Sequence, residues 1–208
     1  MPTGHGHMNH TMVTGDVVVK RFRGARAEQR WTSEYDVLTR LEASPLTPRL
    51  VDADPSARVL VTAFVPGTCA ADLLASRDSS DREVGARACA DAGRTLSALG
   101  ESHGDFGPQN VIWTGGRAVL VDWEWATAFA AQSDFDECWF EWIVRRHYGA
   151  ALDLLPAMVC VQDRLPLARR KELMELGCRV RLSVAREGAA DRAVHGWTRN
   201  LEWTRSLA

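Results

Sequence analysis

Three oxygen-bearing side chains in the middle of the chain constrain its fold more than any other feature of the sequence. Asp105 and Asn110 belong to the segment HGDFGPQN at residues 103–110, and Asp122 opens the sequence DWE. Between them lie two short apolar runs separated by the turn sequence TGG, which predicts a β-hairpin. A hairpin returns the chain to its starting point, so we expect Asp122 to lie beside Asn110 and close to Asp105.

This set of side chains suits phosphoryl transfer, a reaction that needs positioning and charge neutralisation more than covalent chemistry. The carboxylate of Asp105 can orient an attacking hydroxyl or accept its proton. The oxygens of Asn110 and Asp122 can bind Mg²⁺, which prefers a few oxygen ligands together with phosphate oxygens and water. The competing interpretation is that Asp105 caps a helix and Asn110 closes a turn. We expect His103 to hold the loop through hydrogen bonds to the backbone.

The pattern H-G-D-x-x-x-x-N, followed by an apolar residue and Asp-Trp-Glu at 121–124, resembles the catalytic loop and metal-binding segment of the aminoglycoside phosphotransferase family. The resemblance spans about residues 4–140 and implies a protein-kinase-like fold of class α+β. It implies a small antiparallel-sheet lobe at 1–66 that binds the nucleotide, and a mainly helical lobe at 67–208 with the catalytic loop and acceptor site. It also implies Mg²⁺ as cofactor, ATP or GTP as phosphate donor and a small hydroxylated molecule as substrate.

Lys20 ends a β-branched run, VVVK, that predicts a strand. Only two of the 25 basic residues are lysine, so a lysine here indicates a position that needs an ammonium group. By the resemblance, Lys20 contacts the α- and β-phosphates of the nucleotide and pairs with a glutamate on the following helix. Glu34 fits the family pattern of a glutamate followed by an apolar pair and leucine, whereas Glu28 lies on a different helical face. Alternatively, Lys20 is a solvated lysine at a strand end.

Two further segments are candidates for nucleotide binding. Gly6 and Asn9 lie in the glycine- and histidine-rich segment 4–10, where the resemblance implies a phosphate-covering hairpin. Glycine lets backbone N–H groups approach phosphates closely; the histidines of this segment also suggest a metal site or a tag. Phe64 and Val65 precede a Pro-Gly pair at the implied link between the lobes, where backbone groups would contact the base. An ordinary core strand is the alternative for these two residues.

Periodicity and turn signals predict the remaining elements. Apolar residues at helical spacing predict helices at 26–42, 134–148, 151–163, 167–187 and 190–206, and the capping box Ser80-x-x-Glu83 starts a helix that ends at Leu99. Strands are predicted at 17–20, 49–52, 59–64, 111–113 and 118–121. The first twelve residues are expected to form a turn between short strands.

The predicted helix at 134–148 supplies candidates for the acceptor site. The resemblance places the acceptor pocket after the metal-binding aspartate, where the polar and aromatic candidates are Asp134, Asp136, Glu137, Glu141, Trp139 and Trp142. Carboxylates would bind an amino-sugar, and indole rings could stack on a sugar or a base. The alternative is that the tryptophans belong to the core and the acids to a solvated helix face. Because the chain is shorter than the family, we favour another hydroxylated antibiotic over an aminoglycoside.

Composition narrows the setting in which the protein acts. The net charge of −2 argues against binding of nucleic acid through a basic surface. No apolar run approaches the length of about eighteen residues that a membrane span needs, so we expect none. The five cysteines form no C-x-x-C pair, which indicates reduced thiols and a cytoplasmic location. We expect a monomer or a weak dimer.

These observations leave three functions open. The leading hypothesis is an O-phosphotransferase that inactivates an antibiotic, in resistance or in the self-resistance of a producer. The second is a small protein kinase or ATPase of the kind associated with tRNA modification, although that group carries Asp-Phe-Gly where this chain has Asp122-Trp123-Glu124. The third is a nucleotide-binding pseudokinase, which would need none of the residues Lys20, Asp105, Asn110 and Asp122.

Overall fold

A four-stranded antiparallel sheet forms the first part of the protein, in a computed structural model that describes residues 9–132, 134–159 and 161–207. Its strands are β1 (Asn9–Thr14), β2 (Val17–Phe22), β3 (Leu50–Asp54) and β4 (Val59–Ala63), in the spatial order β1-β2-β4-β3. The small antiparallel sheet expected at the N-terminal end of a kinase-like fold is therefore confirmed. Gly6 and the rest of the glycine-rich segment before Asn9 lie outside the described residues.

Of the first twelve residues, which were expected to form a turn between short strands, the structure describes Asn9–Met12, and these belong to a strand. Asn9–Thr14 forms strand β1, and the turn follows it at Gly15-Asp16. Gly15 has φ +60°, a left-handed conformation that glycine adopts without strain. Five of the six residues of β1 are exposed, so this edge strand lacks the alternating apolar pattern that would reveal it in the sequence.

Helix α1 (Ala27–Arg40) confirms the first predicted helix and packs against β2, β3 and β4. The indole N–H of Trp31 donates to the carbonyl oxygen of Val59 in β4 at 3.1 Å, which fixes the rotation of the helix about its axis. Glu34 lies on the same buried face. Packing of α1 therefore directs Glu34 toward Lys20 in β2.

A second, three-stranded sheet carries the predicted hairpin. Its strands, in the spatial order β5-β6-β7, are β5 (Thr68–Cys69), β6 (Val111–Trp113) and β7 (Ala118–Leu120). The N–H of Val121 donates to the carbonyl oxygen of Asn110 at 3.0 Å, so the hairpin returns Asp122 to the end of the loop at 103–110, as expected. Strand β5 and the five-residue helix α2 (Ala70–Leu74) after it are too short to produce a periodic signal in the sequence.

The rest of the described chain is mainly helical. Its helices are α3 (Ser79–Leu99), α4 (Phe135–His147), α5 (Leu155–Met158), α6 (Val161–Arg164), α7 (Leu167–Glu187) and α8 (Asp191–Arg205). Helices α3, α4, α7 and α8 confirm the predicted ones to within a few residues at each end. Among the described helices, none combines the length and the apolar character that a bilayer crossing requires.

Two local predictions in this region are wrong. The capping box at Ser80 and Glu83 does not form, because Asp78 accepts the backbone N–H of Ser80 at 2.8 Å and caps α3 two residues earlier. The single helix predicted at 151–163 is divided into a 3₁₀ segment (Gly149–Leu154) and the short helices α5 and α6. Val159 adopts an extended backbone after α5, which interrupts the helical hydrogen bonds.

Helices α4, α7 and α8 pack together around aromatic rings from α4. Trp139 and Trp142 are each 1% exposed and stack in parallel with ring centroids 4.7 Å apart. Gly177 in α7 allows a close approach, because a Cβ atom there would lie 2.5 Å from the Trp139 ring. One helical turn later, the same face of α7 presents Arg181.

Candidate active site

The carboxylate of Asp105 is fixed from three directions. Asn110 donates its side-chain N–H to Oδ2 of Asp105 at 3.1 Å and to the backbone carbonyl oxygen of the same residue at 2.9 Å. The indole N–H of Trp139 donates to Oδ1 at 2.9 Å, and the guanidinium of Arg181 donates to the same oxygen at 2.5 Å. The Asp105 side chain keeps 21% of its surface exposed. It is thus held in one orientation while remaining accessible to a substrate hydroxyl.

His103 has the structural position expected from the sequence. Its Nδ1 accepts the backbone N–H of Asp105 at 3.3 Å, and this assigns the ring proton to Nε2, which donates to the carbonyl oxygen of Val121 at 3.0 Å. The ring is fully buried and lies against Trp123, with the ring centroids 4.5 Å apart. His103 therefore connects the catalytic loop to the segment that carries Asp122.

Asp136, predicted in the acceptor site, accepts hydrogen bonds from the start of the loop at 103–110. Its carboxylate accepts the backbone N–H groups of His103 and Gly104, each at 2.8 Å, and the hydroxyl of Ser102 at 2.9 Å. Burial raises the pKa of Asp136, although these donors oppose the shift. Gly104 has φ +74°, and a Cβ atom there would lie 2.1 Å from the carbonyl oxygen of Trp125. The oxygens of Asp136 are therefore engaged by the loop, and Asp136 does not line the cavity described below.

The ammonium group of Lys20 lies among three carboxylates. Its ammonium pairs with Glu34 at 2.6 Å, with Asp122 directly, and with Glu124 at 3.5 Å. The predicted pairing of Lys20 with Glu34 is thus formed, whereas Glu28 lies on another face of α1 beside Thr32. Burial opposes the charged form of Lys20, but the carboxylates outweigh this effect and raise the pKa of its ammonium group.

Glu124 and Arg30 belong to the same cluster, and the sequence analysis missed both. Arg30 is 2% exposed and donates to Glu124 at 3.1 Å and to the side-chain oxygen of Asn9 at 2.8 Å. Asn9 in turn donates to Glu124. The signal for Glu124 was its place in the DWE sequence. The signal for Arg30 was its position four residues before Glu34, which places Arg30 and Glu34 on one face of α1.

The charges of this cluster favour a bound cation. Glu34, Asp122 and Glu124 place carboxylate oxygens within 4.8 Å of one another, against the two cations Lys20 and Arg30. Burial raises the pKa of Glu34, while Lys20 outweighs burial at Asp122 and lowers its pKa. The side chain of Asp122 keeps 41% of its surface exposed. A set of hard oxygen donors with excess negative charge fits Mg²⁺.

The predicted base-contacting residues lie at the end of β4, away from this cluster. Phe64 is 44% exposed, and its backbone N–H donates to the carbonyl oxygen of Asp16 at 2.7 Å. Val65 is partly buried. The Phe64 N–H is therefore already engaged, which leaves the carbonyl groups of this segment for hydrogen bonds to a base.

A cavity of about 590 Å³ opens beside Asp105 and Asp122. We call it the central cavity; besides these two acids, its lining includes Glu124, Arg23, Arg181, His147, Trp125, Ile143, Tyr148, Val184, Ala185 and Trp197. It lies between the end of the catalytic loop and helices α4, α7 and α8. Its position next to Asp105 makes it the space in which an acceptor could meet a phosphoryl donor.

The other predicted acceptor residues contribute less to the central cavity than expected. Trp139 and Trp142 reach its wall, but they are core residues stacked on each other, and the Trp142 indole N–H donates to the Thr204 hydroxyl at 2.7 Å. Glu141 is fully buried and pairs with Arg145 and Arg170. Glu137 accepts a hydrogen bond from Arg164 at 2.7 Å and does not line the cavity. Among the described residues, no carboxylate of α4 therefore lines the central cavity.

Arg181 contacts Asp105 directly, but nothing in the sequence predicted it as a site residue. It is 5% exposed, and its guanidinium lies 4.1 Å from the centroid of the Trp139 ring and 5.1 Å from that of Trp125. It also donates to the carbonyl oxygen of Gly104 at 2.9 Å. No motif marks it, because arginine is the usual basic residue of this chain and Arg181 lies 76 positions after Asp105.

Comparison with known proteins supports the fold. Neither the protein-family models nor the curated proteins include a match to this chain. Choline kinase LicA from Streptococcus pneumoniae superimposes with a TM-score of 0.58 at 15% identity, covering 98% of this chain and 92% of its own. The aminoglycoside phosphotransferase APH(2")-IIIa, solved with GDP and kanamycin, superimposes with a TM-score of 0.59 at 11% identity. The match covers 98% of this chain and 91% of the phosphotransferase.

A choline/ethanolamine kinase family protein from Mesorhizobium loti is similar in the same way, with a TM-score of 0.54 at 16% identity over 96% of this chain and 84% of its own. The protein therefore has the protein-kinase-like fold that these small-molecule kinases share, as the resemblance in its sequence implied. At these identities the likeness concerns the fold.

Proposed function

We propose that this protein is a phosphotransferase that moves the γ-phosphate of ATP or GTP to a hydroxyl group of a small molecule. The observation that carries the proposal is the meeting of Asp105, Asn110 and the Lys20–Asp122 pair at one cleft. Proteins of the same fold include a choline kinase and an aminoglycoside phosphotransferase solved with GDP and kanamycin, and both act on small molecules.

Each residue has a role that follows from its contacts. Asp105 orients the acceptor hydroxyl and receives its proton, since it is accessible and held in one orientation. Lys20, positioned by Glu34, contacts the α- and β-phosphates. Asn110 and Asp122 would hold Mg²⁺, which neutralises charge on the phosphate oxygens when bound. Asn9 and the preceding Gly6 would cover the phosphates, and Phe64 and Val65 would contact the base.

For the acceptor, we propose a hydroxylated antibiotic. The support is the fold shared with the kanamycin complex, together with a cavity beside Asp105 that is large enough for a drug-sized ligand. Inactivation then follows from the phosphate added to the hydroxyl, because the added charge and bulk prevent the modified compound from fitting its target.

The test is transfer of label from γ-labelled ATP, and separately GTP, to a panel of hydroxylated antibiotics in the presence of magnesium. The matched variants are Asp105→Asn, which removes the proton acceptor, and Asp81→Asn, at an acidic residue in the first turn of α3 that does not line the central cavity. We expect label on one compound with the wild type and Asp81→Asn, and a loss of about 10²–10⁴-fold with Asp105→Asn.

Two results would contradict the proposal. Nucleotide binding without transfer to any small molecule, but with transfer to a protein, would identify a protein kinase. Nucleotide binding without any transfer, unchanged by Asp105→Asn, would identify a pseudokinase.

A further inference from the structure

The central cavity has apolar walls on the side away from the phosphate site. Trp125, Tyr148 and Trp197 supply aromatic surface, and Ile143 and Val184 supply aliphatic surface. Trp197 and Tyr148 are partly exposed, unlike the core pair Trp139 and Trp142, so their surfaces are available to a ligand. Walls of this kind bind rings through area burial and stacking rather than through charge.

Every acidic side chain that lines the central cavity, among the described residues, already has a cationic partner. Asp105 is paired with Arg181, and Glu124 with Arg30. Asp122 is paired with Lys20 and is assigned to the metal in the proposed function. No further carboxylate of the described chain reaches this cavity, so a ligand with several ammonium groups would find no counter-charges there.

Arg181 also occupies the position in which aromatic rings would otherwise hold a cation. Its guanidinium faces Trp139, Trp125 and Trp197 with ring centroids at 4.1, 5.1 and 5.7 Å. Hydrogen bonds to Asp105 and to the Gly104 carbonyl oxygen keep it there. A second cation in the cavity would have to displace Arg181 from these rings or compete with it for Asp105.

We propose that the acceptor is an uncharged, ring-containing alcohol or phenol, and that Arg181 excludes cationic acceptors from the central cavity. The inference rests on the proposed function for the identity of the reaction, but the preference for a neutral ring is a binding property of the cavity itself. It separates this protein from the aminoglycoside and choline chemistry named for proteins of the same fold.

Three compounds with one skeleton test the preference: neutral tyrosol, cationic tyramine and anionic 4-hydroxyphenylacetate. Their dissociation constants are measured by calorimetry and by ligand-observed NMR on the full chain, with and without magnesium and ATP. We expect tyrosol to bind at least about tenfold more tightly than tyramine, because the tyramine ammonium would lose hydration beside carboxylates that already have cationic partners. Equal or tighter binding of tyramine or of 4-hydroxyphenylacetate, or no binding of tyrosol up to its solubility limit, would overturn the proposal.

Variants identify the cavity as the binding site. Trp197→Ala should raise the dissociation constant of tyrosol by about tenfold, because one stacking surface is lost. Trp203→Ala is the control, because Trp203 lies on the same helix and touches Trp142 but does not line the cavity. Arg181→Met should strengthen the binding of tyramine relative to the binding of tyrosol. Unchanged tyrosol binding in Trp197→Ala, or an unchanged tyramine ratio in Arg181→Met, would contradict the inference.

The two proposals fail in distinguishable ways. If the protein does not transfer phosphate, the label assay is negative while the preference for tyrosol over tyramine persists. If the inference on the acceptor is wrong, nucleotide binding and transfer are intact while tyramine binds as well as tyrosol.

Discussion

The Arg181 guanidinium donates to the carboxylate of Asp105 at 2.5 Å while its flat face covers the Trp139 ring at 4.1 Å. Trp139 itself donates to the same carboxylate oxygen. Trp139 in α4 and Arg181 in α7 therefore hold Asp105, although neither belongs to the segment at 103–110 that contains it. The C-terminal helices thus set the geometry of the proposed catalytic residue as well as the wall of the central cavity.

Arg181→Lys and Arg181→Met are expected to lower kcat by about 10²-fold with the KM for nucleotide unchanged, because Asp105 loses its fixed orientation while the phosphate site is intact. Lysine keeps the charge but cannot bond Asp105 and Gly104 from one planar group. Millimolar guanidinium should partly restore kcat in Arg181→Met by entering the space between the rings. Arg179→Lys, on an exposed turn of the same helix, is the control. A rise in KM for nucleotide without a fall in kcat would contradict this role.

Asp136→Ala should destabilise the protein by about 2–4 kcal/mol, because two buried backbone N–H groups in the catalytic loop lose their acceptor. Glu137→Ala, one residue along the same helix, removes a partly exposed ion pair with Arg164 and should cost less than Asp136→Ala. Urea denaturation of the two variants measures the difference. Equal effects would mean that Asp136 does not hold the loop.

The catalytic loop and the hairpin after it could be predicted from sequence because their residues are close together along the chain. Asp105, Asn110 and Asp122 need only one turn to meet, and Lys20 was marked by the rarity of lysine. Arg181 and Arg30 could not be found in this way, since their contacts depend on how α7 and α1 pack. The contact of Asp136 with the loop could not be predicted, because an acidic residue on a helix shows the same pattern whether it faces a ligand or a buried loop.

Lys20→Met is expected to abolish nucleotide binding and to destabilise the protein by about 3–5 kcal/mol, because Glu34 and Glu124 are left buried without their ammonium partner. The chain offers a matched control in its other lysine. Lys171→Met removes a hydrogen bond to the carbonyl oxygen of Leu207 near the C-terminal end and should leave nucleotide affinity unchanged. Fluorescence titration with a labelled nucleotide and thermal unfolding measure the two effects. Nucleotide affinity retained in Lys20→Met would remove Lys20 from the phosphate site.

Gly177→Ala tests whether the packing of α7 on Trp139 controls Asp105. The added Cβ would lie 2.5 Å from the Trp139 ring, and that ring cannot retreat because Trp142 is stacked on it. We expect a loss of about 1–3 kcal/mol from overpacking. A fall in kcat should accompany it, because the Trp139 N–H and Arg181 move away from Asp105 together.

Gly196→Ala in α8 is the control for the change of residue type, because a Cβ atom there meets nothing within 4 Å. Alanine is the better helix former by about 1 kcal/mol, so this variant should be slightly more stable than the wild type and equally active. Thermal unfolding and kcat are measured for both variants. If Gly177→Ala lost stability but kept the wild-type kcat, Trp139 would be a packing residue only, and Asp105 would owe its orientation to Arg181 and Asn110.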